Sequence, residues 1–233
     1  MIDLRPFSSF GAADHGWLDA HHHFSFADYY NPKRMGWGAL RVWNDDMIAP
    51  QSGFPPHPHR DMEIITYVRT GAITHQDSMG NKGRTAAGDV QVMSAGTGVR
   101  HAEYNLEQEA TTLFQIWIEP DRAGGAPGWG AKQFPKGDRS GKWSVLASGH
   151  DGDADALKIR ADAKVLGATI DTGAELVYEA APGRHIYLTA ATGVVDVNGH
   201  RLNTRDAAAI VDEPRIVLKA IEGPVEIVLT DTR

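Results

Sequence analysis

The sequence predicts an all-β protein built from two tandem β-barrels of a jelly-roll-like kind. Short runs rich in Val, Ile, Thr, Tyr and Trp recur between Gly, Pro, Asn and Asp punctuation along the 233 residues. No stretch keeps a clean helical period for three turns, so helices should be short and peripheral. One tract, "PDRAGGAPGWGAKQFPKGDRSGKW" (120–143), carries six glycines and three prolines and separates two β-rich halves.

In chain order the candidate strands of the first half are "GALRVW" (38–43), "MEIITYV" (62–68), "GAITHQD" (71–77), "DVQVM" (89–93) and "TLFQIWI" (112–118). Each mixes β-branched and aromatic residues and is bounded by turn formers. The second half offers "RHIYLTA" (184–190), "GVVDV" (193–197), "AAAIV" (207–211), "RIVLKA" (215–220) and "VEIVL" (225–229). The halves look related. Gly71-Ala-Ile-Thr leads through a turn to Gly88-Asp89-Val90, as Gly193-Val-Val-Asp leads past the hairpin pair Asn198-Gly199 to Arg205-Asp206-Ala207. The expected division is a first barrel over 1–122, a linker over 123–142 and a second barrel over 143–233. Many short strands of this kind close into barrels or sandwiches.

Composition narrows the function classes. The chain has 23 basic and 30 acidic residues, a net charge of −7, which argues against nucleic acid or an anionic membrane as the main partner. It has no cysteine, so thiolate metal sites, thiol nucleophiles and disulfides are excluded. The start, "MIDLRPFSSFGAADHG", places charges where a signal peptide needs an apolar core, and no apolar run approaches membrane-spanning length. Cytoplasm is the expected compartment.

The chemistry concentrates in two stretches. "GFPPHPHRDMEIITYVRTG" (53–71) carries His57 and His59, and "GDVQVMSAGTGVRHAEYN" (88–105) carries His101 and Glu103. On a strand, residues i and i+2 share a face about 6.5–7 Å apart. Two such pairs on neighbouring strands can converge on one cation, and imidazole and carboxylate are the normal ligands for a first-row divalent metal without cysteine. A lone H-x-H pair is more often packing or surface histidine. The second pair, after a turn that Gly96 and Gly98 make tight, favours a metal site. A strictly extended segment from His57 would also turn Glu63 to the same face, giving five candidates.

These residues carry a resemblance. The two stretches resemble the two cupin motifs, with His101 and Asn105 at the cupin spacing. The text "HPHRDMEIITYV", "HQDSMGN", "GDVQVMSAGTGVRHAEYN" and "FQIWI" is similar to the pirin family, above all to bacterial pirins described as quercetin 2,3-dioxygenases. "HGWLDAHHHFSFADYYNP" and "GALRVWNDD" match that group too. The resemblance implies a bicupin with one divalent metal in the first barrel, held by His57, His59, His101 and Glu103. Fe(II) is the expected ion, with Mn, Co, Ni, Cu and Zn left open. Ser94 stands where cupins often have proline, as in pirins. The implied activity is O2-dependent cleavage of a flavonol such as quercetin to a depside and carbon monoxide. Glu103 would act at the metal and Glu63 would be the base, unless Glu63 only hydrogen-bonds a neighbour. The implied alternative is an iron-binding regulatory pirin with a protein partner and no robust catalysis.

Other residues weigh less. The "HHH" at 21–23 scatters its side chains over different faces on any regular structure, and the resemblance places His22 in a packing segment. His75 and Asp77 share a strand face and suit a buried hydrogen-bonded pair. The tryptophans read as packing, with one or two free to line a pocket for a planar substrate. The second barrel should lack metal: aligning Gly193 on Gly71 and Asp206 on Asp89 puts Glu179, Ala181, Leu218 and Ala220 at the four ligand positions.

Overall fold

A computed structural model describes all 233 residues as twenty strands and two short 3-10 turns, Phe7–Ser9 and Lys136–Arg139. The strands are β1 (Ile2–Arg5), β2 (Gly11–Asp14), β3 (Leu18–His22), β4 (Leu40–Ile48), β5 (Ser52–His59), β6 (Glu63–Thr70) and β7 (Ala72–Asp77). Next come β8 (Lys82–Ala86), β9 (Val90–Ser94), β10 (Val99–Asn105), β11 (Thr111–Ile118), β12 (Gly128–Lys132) and β13 (Ser144–Ser148). The last are β14 (Leu157–Lys158), β15 (Ala163–Ile170), β16 (Glu175–Glu179), β17 (His185–Val197), β18 (His200–Leu202), β19 (Ala207–Ile210) and β20 (Arg215–Thr232). The all-β class is as the sequence has it.

Two compact units emerge. One comprises 11–134 with 157–162, the other 1–10, 135–156 and 163–233. These differ from the expected boundaries in two ways. Residues 1–10 belong with the C-terminal half because β1 pairs along β19, Ile2 opposite Ile210 and Arg5 opposite Ala207. Part of the Gly/Pro-rich tract is also a strand, β12, which pairs with β9 from Gly128↔Ser94 to Lys132↔Val90.

The first unit is two facing sheets. Seven strands run in the order β12-β9-β6-β11-β4-β3-β2, and four in the order β5-β10-β7-β8. Alternation on the larger sheet sends Leu18, Ala20, Ile48, Val68 and Leu113 into one apolar cluster with Ile73 of the smaller sheet. A second cluster holds Ile64, Met93, Ala95 and Val99, with Trp117 and Trp129 against it. β5, "SGFPPHPH", is an edge strand, and that explains how it tolerates three prolines. An edge strand leaves one side of its backbone unpaired, so missing N–H donors break no second ladder.

In the other unit, the strands expected at 184–190 and 193–197 form one strand, β17, and those at 215–220 and 225–229 form β20. Register shifts between Ala190 and Val195 absorb the glycine without ending the pairing. The core there is aliphatic, including Ile186, Leu188, Val195, Ile216, Leu218, Ala220 and Leu229.

Candidate metal centre

Three imidazoles meet where β5 and β10 run side by side. His101 lies opposite His57, and Val99 opposite His59. The candidate ligand atoms of His57, His59 and His101 all lie within 4.8 Å of one another. Their ring centroids are 4.5–4.9 Å apart. His101 is 3% exposed, and its Nε2 is buried with no hydrogen-bond partner. His57 uses Nδ1 on the Pro55 carbonyl at 2.7 Å, and a carbonyl only accepts, so the proton sits on Nδ1 and Nε2 keeps its lone pair. Burial, then the neighbouring imidazoles, lowers the pKa of His59 to about 4 and of His101 to about 3. Both are therefore neutral at pH 7. Three imidazoles this close together, one of them with a buried ring nitrogen that has nothing to bind, fit a first-row divalent cation.

Glu103 lines the same cavity but is not part of the three-histidine cluster. A register shift between His101 and Glu103 sets it opposite Phe54. Its carboxylate is clamped from the facing sheet. Gln91 Nε2 donates to Oε1 at 2.6 Å, and Gln115 Nε2 to Oε2 at 2.7 Å. The Thr66 hydroxyl lies 3.1 Å from Oε1 and 2.9 Å from the Gln115 amide oxygen, and its single proton serves one of them at a time. A carboxylate has about four lone-pair sites, so Oε2 retains capacity for a cation or a proton. The clamp belongs to a transverse polar row on the larger sheet: His22 pairs with Asn44, Asn44 with Gln115, Gln115 with Thr66, and Thr66 with Gln91. His22 Nδ1 lies 2.9 Å from Asn44 Oδ1.

Glu63 does not face this cavity, contrary to the expectation of an extended run from His57. β5 ends at His59, and Asp61 adopts φ 47° in the intervening turn. The chain then re-enters as β6 in the other sheet, where Ile64, not Glu63, lines the cavity. Glu63 is buried on the opposite face, accepting from Ser94 Oγ at 2.5 Å. Burial raises its pKa, opposed by the Ser94 bond and by Arg160. That position keeps Glu63 off the wall of this cavity, against the expected role as base.

Behind the histidines, His75 Nε2 lies 3.1 Å from Asp77 Oδ2, the hydrogen-bonded pair expected. The His75 ring stacks on Trp129, and His75 Nδ1 lies 3.5 Å from His101 Nδ1. Such partners orient a ligand ring and fix its tautomer. Asn105 is a pin: its side-chain amide donates to the carbonyls of Ile48 and Glu109. The three consecutive histidines do scatter. His21 lies by Asp19, His23 stacks on Trp43, and His22 lines the cavity.

The cavity has a volume of about 310 Å³. Its wall is mostly apolar, with Leu18, Phe26, Phe54 and Trp117 prominent. Sequence reasoning missed Asp46, His22, Asn44 and Gln115 on this wall. Their alternation with outward residues along β3, β4 and β11 is the only sequence signal for them.

Comparison with known proteins agrees with this arrangement. Residues 4–118 match the pirin family, and residues 145–232 match the quercetinase C-terminal cupin domain. A pirin-like protein of Caulobacter vibrioides is 67% identical over 231 residues, covering 99% of both chains. Quercetin 2,3-dioxygenase of Escherichia coli (strain K12) is 43% identical over 233 residues, covering 99% of this chain and 98% of that one. The crystal structure of the bacterial pirin YhhW from Escherichia coli in complex with nickel(II) superposes with a TM-score of 0.93 at 41% identity, covering 100% of this chain and 99% of that one. Identity along nearly the whole chain, with the same fold, places the chain in the pirin family.

Proposed function

We propose that the protein is a metal-dependent dioxygenase that cleaves a flavonol such as quercetin with O2, releasing a depside and carbon monoxide. The observation that carries this reading is the three-histidine cluster opening into a largely apolar cavity, beside one clamped carboxylate. Relatives named quercetin 2,3-dioxygenase, and a relative crystallised with nickel, support it. His57, His59 and His101 would hold the ion, with Glu103 as the anionic fourth ligand. Fe(II) is the proposed ion, with nickel next. When bound, the metal supplies Lewis acidity that makes a flavonol hydroxyl easier to deprotonate and brings O2 within reach.

The remaining steps fall to the chain's own groups. Phe26, Phe54 and Trp117 offer flat apolar surface to a planar ring system and keep bulk water out. Glu103, held on the cavity wall by Gln91 and Gln115, would bring the negative charge that three neutral ligands do not supply to a divalent ion. The regulatory alternative is less favoured, because a partner-binding role leaves an internal cavity with unmet polar atoms unused.

The test is metal content by elemental analysis of protein prepared without a histidine tag, with O2 uptake and CO release measured over flavonols and catechols. Metal-dependent O2 uptake with CO release on a flavonol is expected. Its absence from metal-loaded protein on every flavonol sinks the reading.

A further inference from the structure

Two residues of the cavity wall, apart from His101, carry a buried polar atom without any partner: Asp46 at Oδ1 and Trp117 at Nε1. Asp46 is the more unusual. It is 2% exposed and lies on β4 of the larger sheet, facing the smaller sheet that carries the three histidines. Its neighbour Asp45 points to the other face and pairs with Arg69. Alternation therefore separates a structural, paired aspartate from one turned inward against an apolar wall. Of the other cavity polar groups off the histidine strands, His22 is engaged with Asn44 and Gln115 with Glu103, while the unmet Trp117 Nε1 can only donate.

Buried carboxyl oxygens are nearly always satisfied, and an unmet one in a ligand-sized cavity marks where a polar group of the ligand completes the bonding. We propose that Asp46 is a substrate-binding residue whose carboxyl hydrogen-bonds an oxygen of the substrate remote from the metal-binding oxygens, so that the cavity selects polyhydroxylated aromatics. This rests on the dioxygenase reading of the same cavity. The carboxyl suits the task in either protonation state, because it accepts from a hydroxyl when ionised and donates to a carbonyl or phenolate oxygen when protonated. Burial first, then Asp45 and Glu103, holds it well above the usual carboxylate range, which widens the pH span over which it can donate.

The test compares two flavonols that share the 3-hydroxy-4-keto pair: quercetin, with four further hydroxyls, and 3-hydroxyflavone, with none. Binding to Ni(II)-loaded, oxygen-free protein is followed by flavonol absorbance for wild type, Asp46→Leu, Asp46→Ala and Asp46→Asn, with nickel content measured for each. The Leu and Ala variants should keep one nickel and weaken quercetin about tenfold or more, leaving 3-hydroxyflavone within about twofold. Asn, which keeps a donor and an acceptor, should recover most of the quercetin affinity. The Ala variant carries the comparison if Leu overpacks the site. Unchanged quercetin binding, or an equal loss for both flavonols, overturns the proposal. If metal-loaded wild type binds neither flavonol, the dioxygenase reading falls and takes this proposal with it.

Discussion

His101 shows what one residue contributes at this site. Its Nε2 is buried and unpartnered while its Nδ1 side faces His75, so the ring presents one lone pair to the cluster. Replacing His101 or His57 by Ala should remove most of the metal, read by elemental analysis, while the far-UV spectrum stays β-type, because apolar clusters on both sheets hold the barrel together. Full occupancy in either variant would show that the ion sits elsewhere. Glu63 makes the opposite case. Its folded-state pKa is raised above 4.5 by burial, so the folded form holds its proton more tightly than the unfolded chain does. The stability tied to that proton is complete below about pH 4.5 and is lost as pH rises through the higher folded value. Glu63→Gln should therefore leave metal content unchanged and gain stability relative to wild type as pH rises, in melts taken from pH 4 to 8. Loss of metal in this variant would restore Glu63 to the site.

At the scale of elements, the site depends on how two strand ends are brought together. The turn from Ala95 to Gly98 closes on a 2.9 Å backbone bond, and Gly96 receives the Asp61 N–H. Gly96 has φ 48°, and a Cβ there would meet the Gly125 carbonyl oxygen at 2.3 Å. Gly96→Ala should thus cost roughly 1–3 kcal/mol from backbone strain and displacement of the 125 segment. In a domain of this size that is a drop in Tm of about 2–12 °C. An unchanged Tm would mean the turn yields freely. The sequence made this turn legible through its glycines. Composition did not mark β5 as a strand, although the H-x-H spacing was read on one, because three prolines in eight residues argue against an interior strand and only the edge position admits them.

For the whole molecule, the question is how many metals it holds. Of the positions aligned with the ligands, Leu218 and Ala220 lie in the aliphatic core of the C-terminal unit, and Glu179 is in an exposed ion pair with Arg215. A core of this kind offers no lone pairs to a cation. Metal-loaded protein should therefore contain close to one equivalent per chain, falling to near zero in the double variant His57→Ala with His101→Ala. A persistent second equivalent would place a ligand set in the C-terminal unit.

The sequence by itself determined the all-β class, the two related halves and the H-x-H and H-x-E pairs, because these depend on local pattern: a period of two, turn residues at fixed offsets and ligand types two positions apart. Tertiary structure decided the rest. Which face Glu63 takes was set by Asp61 ending one strand and starting another in a different sheet, a break that the H-x-H spacing does not encode. The membership of residues 1–10 in the C-terminal unit depends on a pairing between Ile2 and Ile210, more than two hundred residues apart. The clamp on Glu103 joins Thr66, Gln91 and Gln115 from three strands of the facing sheet, and Asp46 acquires its unmet oxygen from a cavity that exists only once the two sheets close. Contacts of that kind follow from register and packing across the sandwich, which no window of neighbouring residues contains.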